Sequence, residues 1–549
     1  MTDTQDGPDA QRSDEPSVAE VMATSLAAAG VGHIFAYPGD PIIEFMERSR
    51  LTGIDVVLAR REATAAFMAE GLAQATGTVG VCLSTLGPGS TALVNGVAAA
   101  HLDRVPMLAI SGQVETAREP YFTHQVVDHD RLFAPITKWA GRVDPGAVGT
   151  TMRKALRLAA AERPGAVHLT INGDLGKRPA TDAGFSVPPA GPAVTTLSVY
   201  RSPGGPDPAA LLAGARRPVI LAGIGAVRAN ATEALVRLAE TASVPVVVAP
   251  MAKGVFPEDH PLFAGVLDMA CNQVLWDFLK ASDLIVTAGF DAVELIKPWT
   301  VRTPVLHVDS TPNTDQIYSA ECECVGDIGA LLDWLADGWA GQPRWSKAEV
   351  AAHRDGLRAA YYEGRVAGRL NPTDVVDAVR AAAPRNTIAS TDVGSHKLLV
   401  GQGWTTYEPR RMLMTNGLSA MGFGVPAAIA AKIALPEHPV IALIGDGGFA
   451  MTATEIRLAA SLGLPVVFVV FADESLNRIE LKQMAQRYPS TATRIEPSDL
   501  VGLAAALDCD GVRVDTAGQL EKALSGLAGL TRPLVIEARI DPSQYESQF

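Results

Sequence analysis

Helical and strand-like hydrophobic patterns alternate along most of the chain, beginning at Ser17. Apolar residues from Val18 to Ala29 follow helical spacing and stop at Gly30, and the apolar segment His33–Ala36 then predicts a short strand. Alternation of strands and helices in this way is typical of a doubly wound parallel sheet. The pattern continues through predicted strands at 56–58, 79–83 and 106–111, a helix at 63–75, and a turn onto another helix at 87–91.

Two polar stretches divide this pattern into three successive α/β units. The first, 185–207, is rich in Pro, Ser and Gly, and the second, 337–371, is less apolar and charged, so both are predicted to be linkers. We therefore predict an α/β fold with three doubly wound parallel-sheet domains, at 17–184, 208–336 and 372–549, behind a disordered tail at 1–16. The strands predicted in the second and third units lie at 218–222, 245–248, 284–287, 304–308, 387–388, 439–444, 465–471 and 533–538.

Composition and charge narrow the classes of function open to the chain. Of its 549 residues, 48% are hydrophobic and 19% are charged, an ordinary globular balance that lets each unit bury a core. The net charge of −14 argues against nucleic-acid and membrane-surface binding, because phosphate contacts need clustered Lys and Arg. The five scattered cysteines form no disulfide framework, and neither a signal-peptide pattern nor an apolar run of about 18 residues is present. These features predict a soluble cytoplasmic protein.

The most informative segment joins an apolar strand to a glycine-rich turn in the third unit. Val440–Ile444 is followed by Gly445-Asp446-Gly447-Gly448, and then by a helix predicted to begin near Thr452 or Thr454. Glycines let backbone N–H groups approach an anion, but Asp446 can share that site with a phosphate only through a divalent cation. The plain alternative is a strand-to-helix turn with Asp446 as the helix N-cap.

A second carboxylate is predicted to lie beside Asp446. The strand at 465–471 ends just before Asp473, and the 27 positions that separate the two acids match one strand–helix–strand crossover. The carboxyl ends of neighbouring parallel strands meet at one edge of the sheet, where open α/β sheets bind ligands. Two carboxylates and a loop carbonyl suit Mg²⁺.

This segment resembles the cofactor motif of enzymes that depend on thiamine diphosphate (ThDP), which begins with Gly-Asp-Gly and ends one crossover later in Asn or Asp. The resemblance implies that Asp446, Asp473 and the backbone carbonyl of Ser475 hold Mg²⁺. Ala472 stands where many members have Asn, at a position that is not a metal ligand. The resemblance also implies cofactor-binding roles for four neighbours: Gly445, Gly447, Gly448 and Asn477.

A second segment of the third unit, Thr415–Pro426, closely resembles acetolactate synthases. In that family a Met holds the cofactor in its bent form, and a carbonyl two residues earlier accepts a hydrogen bond from the cofactor's amino group. Those roles fall on Met421 and Ser419, although by spacing alone Met421 would be an ordinary core methionine. The same resemblance adds three residues of a loop on the diphosphate side: Gly394, Ser395 and His396.

The first unit carries the acid to which the resemblance assigns activation of the cofactor. Glu62 lies at a predicted strand-to-helix junction and matches the family's His-Glu segment, with Arg61 in place of His. A buried carboxylic acid with a raised pKa can hold a proton on the pyrimidine ring of ThDP. Taken alone, Glu62 would be a helix N-terminal acid favoured by the helix dipole. Three further segments match the family in the same order, and they include the predicted cofactor residues Pro38 and Gly39: Tyr37–Gly39, Leu86–Gly89 and Ile110–Val114.

Two loops of the first unit bear on the type of reaction. Asp40 and His124 stand where acetolactate synthases have Gly and Phe, and Gln125 matches their Gln. A Pro-Gly-Asp segment and a nearby His resemble pyruvate decarboxylases, while Thr123-His124-Gln125 also resembles carboxyethylarginine synthase. Since His can donate a proton near neutral pH, we predict Asp40, His124 and Gln125 to be catalytic, with an ordinary surface loop as the alternative. Gln125 is also predicted to contact substrate.

The predicted substrate wall and the central unit depart from acetolactate synthases. Lys482 stands where they carry Trp and Arg478 where they carry Met. Both cations can bind an anionic group of a substrate, or they can be solvated surface charges. The stretch Ala288–Leu295 lacks the two arginines of FAD-containing members, so FAD is not expected.

The resemblance extends from about Ser17 to about Ala538 and implies an enzyme that requires ThDP and Mg²⁺. Such an enzyme would decarboxylate pyruvate or a related 2-oxo acid and transfer the remaining carbon unit to a small-molecule acceptor. The family also implies a homodimer or homotetramer, with each active site between the first unit of one chain and the third unit of another. Two alternatives stay open: a decarboxylase that ligates no acceptor, and a catalytically silent paralogue with a structural role.

Overall fold

The structure, a computed structural model, describes residues 15–187, 197–339 and 344–548. Apart from Glu15 and Pro16, the predicted disordered tail lies outside the described residues, as do residues 188–196 of the first predicted linker. No helix within the described ranges is long and apolar enough to cross a membrane. These ranges form three sheets flanked by helices, which confirms the predicted α/β fold class.

The first unit is a fully parallel sheet of six strands in the order β2-β1-β3-β4-β6-β5. The hydrophobic pattern predicted four of these strands. It missed β5, which is short and half exposed, and β6, whose buried run includes His168 and Thr170. The strands are β1 His33–Ala36, β2 Asp55–Leu58, β3 Gly80–Ser84, β4 Met107–Gln113, β5 Trp139–Arg142 and β6 Ala166–Asn172, and the helices are α1 Val18–Ala28, α2 Ile43–Leu51, α3 Glu62–Thr76, α4 Gly87–Leu102, α5 His129–Phe133 and α6 Val148–Ala160.

The central unit contains a sheet of seven strands in the order β10-β9-β8-β11-β12-β13-β7. The six strands β8 to β13 are parallel. Their spatial order in the sheet is the one found in dinucleotide-binding domains. Strand β7, within the predicted linker at 185–207, instead pairs antiparallel with β13 and covers that edge of the sheet. The elements are β7 Ser198–Arg201, β8 Pro218–Ala222, β9 Val246–Val248, β10 Phe263–Val266, β11 Leu284–Ala288, β12 Val305–Asp309, β13 Cys322–Val325, α7 Pro208–Gly214, α8 Ile224–Arg228, α9 Thr232–Ala242, α10 Asn272–Lys280, α11 Ile328–Gly338 and, in the second predicted linker, α12 Lys347–Tyr361.

The third unit repeats the strand order of the first, β15-β14-β16-β17-β19-β18, again with every strand parallel. Its first helix after β16 begins at Asp446, not near Thr452 or Thr454 as the sequence predicted, because the glycines after Asp446 already adopt helical conformation. The elements are α13 Pro372–Ala382, β14 Ile388–Thr391, α14 Ser395–Gly403, β15 Met412–Leu413, α15 Gly424–Ala434, β16 Val440–Gly445, α16 Asp446–Thr452, α17 Ile456–Ser461, β17 Val466–Ala472, α18 Asn477–Ala485, α19 Leu500–Ala506, β18 Asp510–Val514, α20 Ala517–Leu524 and β19 Leu534–Arg539.

Helices α3 and α15 join the first and third units within one chain. Both are rich in small residues and are buried along almost their whole length, which is the pattern of a helix enclosed by protein on all sides. A Cβ atom on Gly71 would lie only 2.5 Å from the Cα of Ala427, so glycine is required for this close approach. The two units are therefore packed rigidly, with their sheet edges in fixed places.

Candidate active site

The two predicted metal ligands meet at the carboxyl edge of the third sheet. Strands β16 and β17 pair in parallel with Gly445 opposite Phe471, so the residues that follow each strand are neighbours. The Asp446 Oδ2 atom accepts hydrogen bonds from the backbone N–H groups of Asp473, at 3.1 Å, and Glu474, at 2.7 Å. The sequence prediction of adjacent carboxylates thus matches the geometry.

The chemistry of this pair fits a divalent cation. Burial raises the pKa of Asp446, and burial together with the charge of Asp446 raises the pKa of Asp473 to about 8. Two partly buried carboxylates that repel one another are stabilised by a cation between them, and Mg²⁺ prefers oxygen ligands. No cluster of three or more His, Cys, Asp or Glu side chains suited to a metal occurs in the described ranges, so a third protein ligand here would be a backbone carbonyl, as predicted for Ser475.

A cavity of about 640 Å³, which we call the third-unit cavity, surrounds these carboxylates. Central-unit residues such as Asp268 and Lys297 contribute to one wall. Every third-unit residue predicted from the sequence lines this cavity: Gly394, Ser395, His396, Ser419, Met421, Gly445, Asp446, Gly447, Gly448, Asp473, Ser475, Asn477, Arg478 and Lys482.

His396 and Ser395, at the start of α14, support the glycine-rich turn. The His396 Nε2 atom accepts a hydrogen bond from the backbone N–H of Gly445 at 3.1 Å, and its ring stacks on Phe471. Burial lowers the pKa of His396 to about 3, so its imidazole is neutral and can accept this bond. The Ser395 hydroxyl donates to the side-chain oxygen of Asn477 at 2.7 Å, which fixes the start of α18 beside the turn.

Asp392 is a site residue that the sequence analysis missed. Its buried carboxylate accepts backbone N–H bonds from Gly422, at 3.0 Å and 3.1 Å, and from Gly424, at 3.0 Å. These bonds fix the residues immediately after Met421, whose methyl group lies against the turn at Gly447. The available signal was an acid directly following a buried strand, at the edge where parallel sheets bind ligands.

Asp103 and Lys397 hold the other end of the Met421 segment, and the sequence analysis missed both. Asp103, from the first unit, accepts the backbone N–H groups of Asn416 and Gly417, while the Lys397 ammonium donates to the Thr415 carbonyl at 2.8 Å. Burial lowers the pKa of Lys397 to about 8. No local sequence pattern joins two acids and a lysine from separate elements, so only the fold reveals this network.

The first-unit residues gather at the carboxyl edge of their own sheet. A Cβ atom on Gly39 would lie 2.1 Å from the Thr85 hydroxyl, and one on Gly89 would lie 3.1 Å from a carboxylate oxygen of Glu62. The loops after β1 and β3 and the start of α3 are therefore in contact. Four further residues, all of them exposed, complete the predicted set at this edge: Pro38, Asp40, His124 and Gln125.

The first-unit residues predicted for the site form one half-site, and the residues around Asp446 and Asp473 form the other. The two half-sites do not meet within the described part of one chain. Among the described residues of the first unit, none of those predicted for catalysis or cofactor binding lines the third-unit cavity. The start of α3 is instead tied to its own third unit through Glu455, which accepts hydrogen bonds from the Arg60 backbone at 2.8 Å and from the Thr64 hydroxyl. Glu62 remains partly exposed beside this contact.

Comparison with known proteins agrees with this division into units. Residues 16–132 match the N-terminal binding domain of thiamine pyrophosphate enzymes, 207–335 match their central domain, and 392–538 match their C-terminal binding domain. The chain therefore belongs to the thiamine pyrophosphate enzyme family, whose cofactor is ThDP. It is a ThDP-dependent enzyme that acts on small molecules.

Within the family, the chain is similar to acetolactate synthases over nearly its full length. It is 31% identical to the probable acetolactate synthase large subunit of Methanocaldococcus jannaschii, covering 96% of this chain and 92% of the relative. It is 28% identical to the acetolactate synthase of Bacillus subtilis, with 96% and 93% covered. It is 30% identical to the large subunit of acetolactate synthase isozyme 3 of Escherichia coli, with 93% and 92% covered.

Proposed function

We propose that this enzyme decarboxylates pyruvate or a related 2-oxo acid and joins the remaining carbon unit to an acceptor, forming a product of the acetolactate type. The observation that carries the proposal is the third-unit cavity, which collects all of the predicted diphosphate-side residues around two carboxylates. Similarity to acetolactate synthases over the whole chain supports the same reaction class.

Magnesium is proposed as the second cofactor. Asp446, Asp473 and the Ser475 carbonyl would hold it, and the glycines of the turn at 445–448 leave room for the diphosphate beside it. When bound, ThDP would supply the carbon nucleophile and the electron sink that decarboxylation of a 2-oxo acid requires. Without a cation at this edge, the negative diphosphate would face the two negative carboxylates directly.

The first unit would supply the proton chemistry. Glu62, at the start of α3, would hold a proton at a ring nitrogen of the pyrimidine of a cofactor bound in a partner chain's cavity. Asp40 and His124, on neighbouring loops of the same edge, would hold or deliver a proton at the reacting oxygen, with Gln125 orienting the substrate.

A cationic wall is proposed to bind the substrate's anionic group. Arg478 and Lys482 are four residues apart on α18 and both line the third-unit cavity, so they share one face of the helix. Burial lowers the pKa of Arg478, and its guanidinium, together with the Lys482 ammonium, would attract a carboxylate.

The active site is proposed to form between two chains of a homodimer or homotetramer. The half-site with Glu62 and the half-site with Asp446 are separate in one chain, although the predicted residues of each half-site lie together. Asp40, His124 and Gln125 are exposed in a single chain, so a second chain could contact them. The first unit of one chain would therefore close the third-unit cavity of another.

The central unit is proposed not to bind FAD. In sheets with this strand order, a dinucleotide diphosphate binds the glycine turn after the first strand, here Gly223–Gly225. That turn is packed against Gly289, since a Cβ atom on Gly225 would lie 2.8 Å from its backbone. A carboxylate oxygen of Glu294 also accepts the Ile224 N–H at 2.9 Å, so an acid takes the donor that a phosphate would need.

Glu294 gives a pH-dependent prediction. Burial raises its pKa from 4.5 to about 8, so the folded chain keeps a proton that the unfolded chain loses. The contribution of protonated Glu294 to the free energy of unfolding is fully present below pH 4.5. Between pH 4.5 and about 8 this contribution is lost, at about 1.4 kcal/mol per pH unit. We expect Glu294→Gln to have a Tm close to that of the wild type at pH 5 and a higher Tm at pH 9, measured by differential scanning calorimetry. Equal Tm values at pH 9 would contradict the raised pKa.

A product assay tests the proposed reaction. Enzyme with ThDP and Mg²⁺ is incubated with pyruvate, alone and with a second 2-oxo acid or an aldehyde, and the products are identified by mass spectrometry. We expect a ligated product and CO₂ in equal amounts. Release of free aldehyde alone, with every acceptor, would favour the non-ligating decarboxylase to which Asp40 and His124 point, and absence of CO₂ release would refute both reactions.

A further inference from the structure

A second cavity, of about 350 Å³, lies where the three units meet and shares no residue with the third-unit cavity. We call it the junction cavity. Val79, Pro106 and Pro164 on its wall lie one or two residues before strands β3, β4 and β6, so the cavity lies at the amino edge of the first sheet. Glu62 and the predicted catalytic loops lie at the opposite, carboxyl edge. The junction cavity is thus separate from the half-sites described above.

Each unit contributes one arginine to the junction cavity: Arg104 from the first, Arg228 from the central and Arg410 from the third. Arg104 donates to a carboxylate oxygen of Asp291 at 3.3 Å, and Arg228 pairs with Glu162 through bonds of 3.0 Å and 2.8 Å. Glu162 is the one acidic residue among the described residues of the wall. Asp291 and Glu162 therefore offset the positive charges of Arg104 and Arg228.

Arg410 has no acidic neighbour to balance it. No hydrogen bond or ion pair joins its side chain to a described residue, and the charged groups close enough to affect it, Arg228 and Arg411, are also cations. Burial and this repulsion lower its pKa. A partly buried arginine that is held among other cations is unfavourable unless an anion offsets the charge.

The Arg410 guanidinium packs against Gly77 in this cavity. Arg410 adopts a left-handed conformation with φ of 63°, which is uncommon for a residue with a side chain. A Cβ atom on Gly77 would lie 2.8 Å from the guanidinium carbon, so the side chain packs onto a glycine that leaves it room. The Arg410 side chain is therefore held against the C-terminal end of α3.

Arg228 offers a second hydrogen-bond donor without an acceptor. Its Nε and Nη2 atoms bind Glu162, while its Nη1 atom is buried and has no partner among the described residues. Buried donors in native proteins are nearly always satisfied by protein, water or ligand. Arg228 and Arg410 both line the junction cavity, so two guanidinium groups whose hydrogen bonding is incomplete border the same space.

The rest of the wall is apolar. Met251, Met412 and Met414 line it together with Ile224 and Val227. Methionine side chains adapt to the shape of an apolar group, and a cavity of this volume can enclose a small metabolite. We propose that the junction cavity binds a small organic anion, with its phosphate or carboxylate group on Arg410 and Arg228 and its apolar body on the methionines.

Binding of such an anion can be measured on the holoenzyme. With ThDP and Mg²⁺ saturating the catalytic sites, isothermal titration calorimetry is carried out with phenylphosphate, phenylacetate and neutral benzyl alcohol. We expect one anion to bind per chain and benzyl alcohol not to bind; the tighter of the two anions identifies the preferred head group. Arg410→Gln should weaken anion binding at least about tenfold and leave turnover unchanged.

Two further variants keep the test decisive. Arg302→Gln removes an exposed arginine outside the cavity and should bind the anion like the wild type. Thr78 is an exposed residue of the cavity wall, so Thr78→Trp should fold normally and obstruct binding even if Arg410→Gln fails to fold. Absence of binding to the wild type at millimolar anion, or undiminished binding in Arg410→Gln or in Thr78→Trp, would overturn the proposal.

Discussion

Glu62→Gln is expected to lower kcat by about 100- to 10,000-fold while ThDP still binds, because this range is typical for loss of a positioned acid–base group. Glutamine keeps the size of the side chain and its place at the start of α3, but it cannot hold a titrating proton at the cofactor's ring nitrogen. Steady-state kinetics measure kcat, and circular dichroism titration measures ThDP affinity. The expected signature is a large loss of kcat with ThDP affinity changed less than kcat.

Glu44→Gln is a suitable control for that experiment. Glu44 lies in the first turn of α2 in the same unit and forms a 2.8 Å ion pair with Arg48, so its replacement removes a helix N-terminal acid outside the proposed site. It should leave kcat within about twofold, since a partly exposed ion pair contributes little. Wild-type turnover in Glu62→Gln would refute the assigned role, and equal losses in both variants would indicate a general structural effect.

Periodicity alone predicted the three sheets because most strands are continuous buried runs. Strand β6 was missed because it contains the polar residues His168 and Thr170, which hydrogen-bond to the buried side chains of Ser111 and His129. Strand β7 escaped because all four of its residues are exposed, so no buried face marks it. Its place comes from backbone pairing with β13, which carries no signal in a single sequence.

The site residues also fall into two groups: those that a local sequence pattern predicts and those that only the fold brings together. Turn chemistry and spacing identified Asp446 and Asp473, since one crossover brings them to one edge of the sheet. The residues that hold Met421 in place come from three separate elements, so their proximity appears only in the fold: Asp103, Asp392 and Lys397. The junction cavity follows the same rule, because its three arginines belong to three units.

Asp446→Ala is expected to weaken Mg²⁺-dependent ThDP binding by at least about 100-fold, a loss beyond that for removing a group that only supports a metal ligand. The substitution removes a proposed ligand and also the acceptor for the Asp473 and Glu474 N–H groups. Asp473→Asn should cost less, because the amide oxygen can still bind the metal. Calorimetric titration of ThDP at fixed Mg²⁺, and Mg²⁺ titration at fixed ThDP, measure both affinities.

Glu474→Gln is the matched control, since this exposed side chain lies next to Asp473 but does not line the third-unit cavity. Its ThDP affinity should equal that of the wild type. ThDP binding by Asp446→Ala at wild-type affinity would refute the proposed metal site. A fall of equal size in Glu474→Gln would instead attribute the effect to the conformation of the loop.

Co-expression of the Glu62→Gln and Asp446→Ala chains then tests where the active site is assembled. If each site combines the first unit of one chain with the third unit of another, random pairing gives about one quarter of all sites an intact Glu62 and an intact Asp446. We expect about a quarter of wild-type turnover from such mixtures, although each variant alone is nearly inactive. If both groups acted within one chain, every site would carry one of the two defects, and mixing would restore no activity.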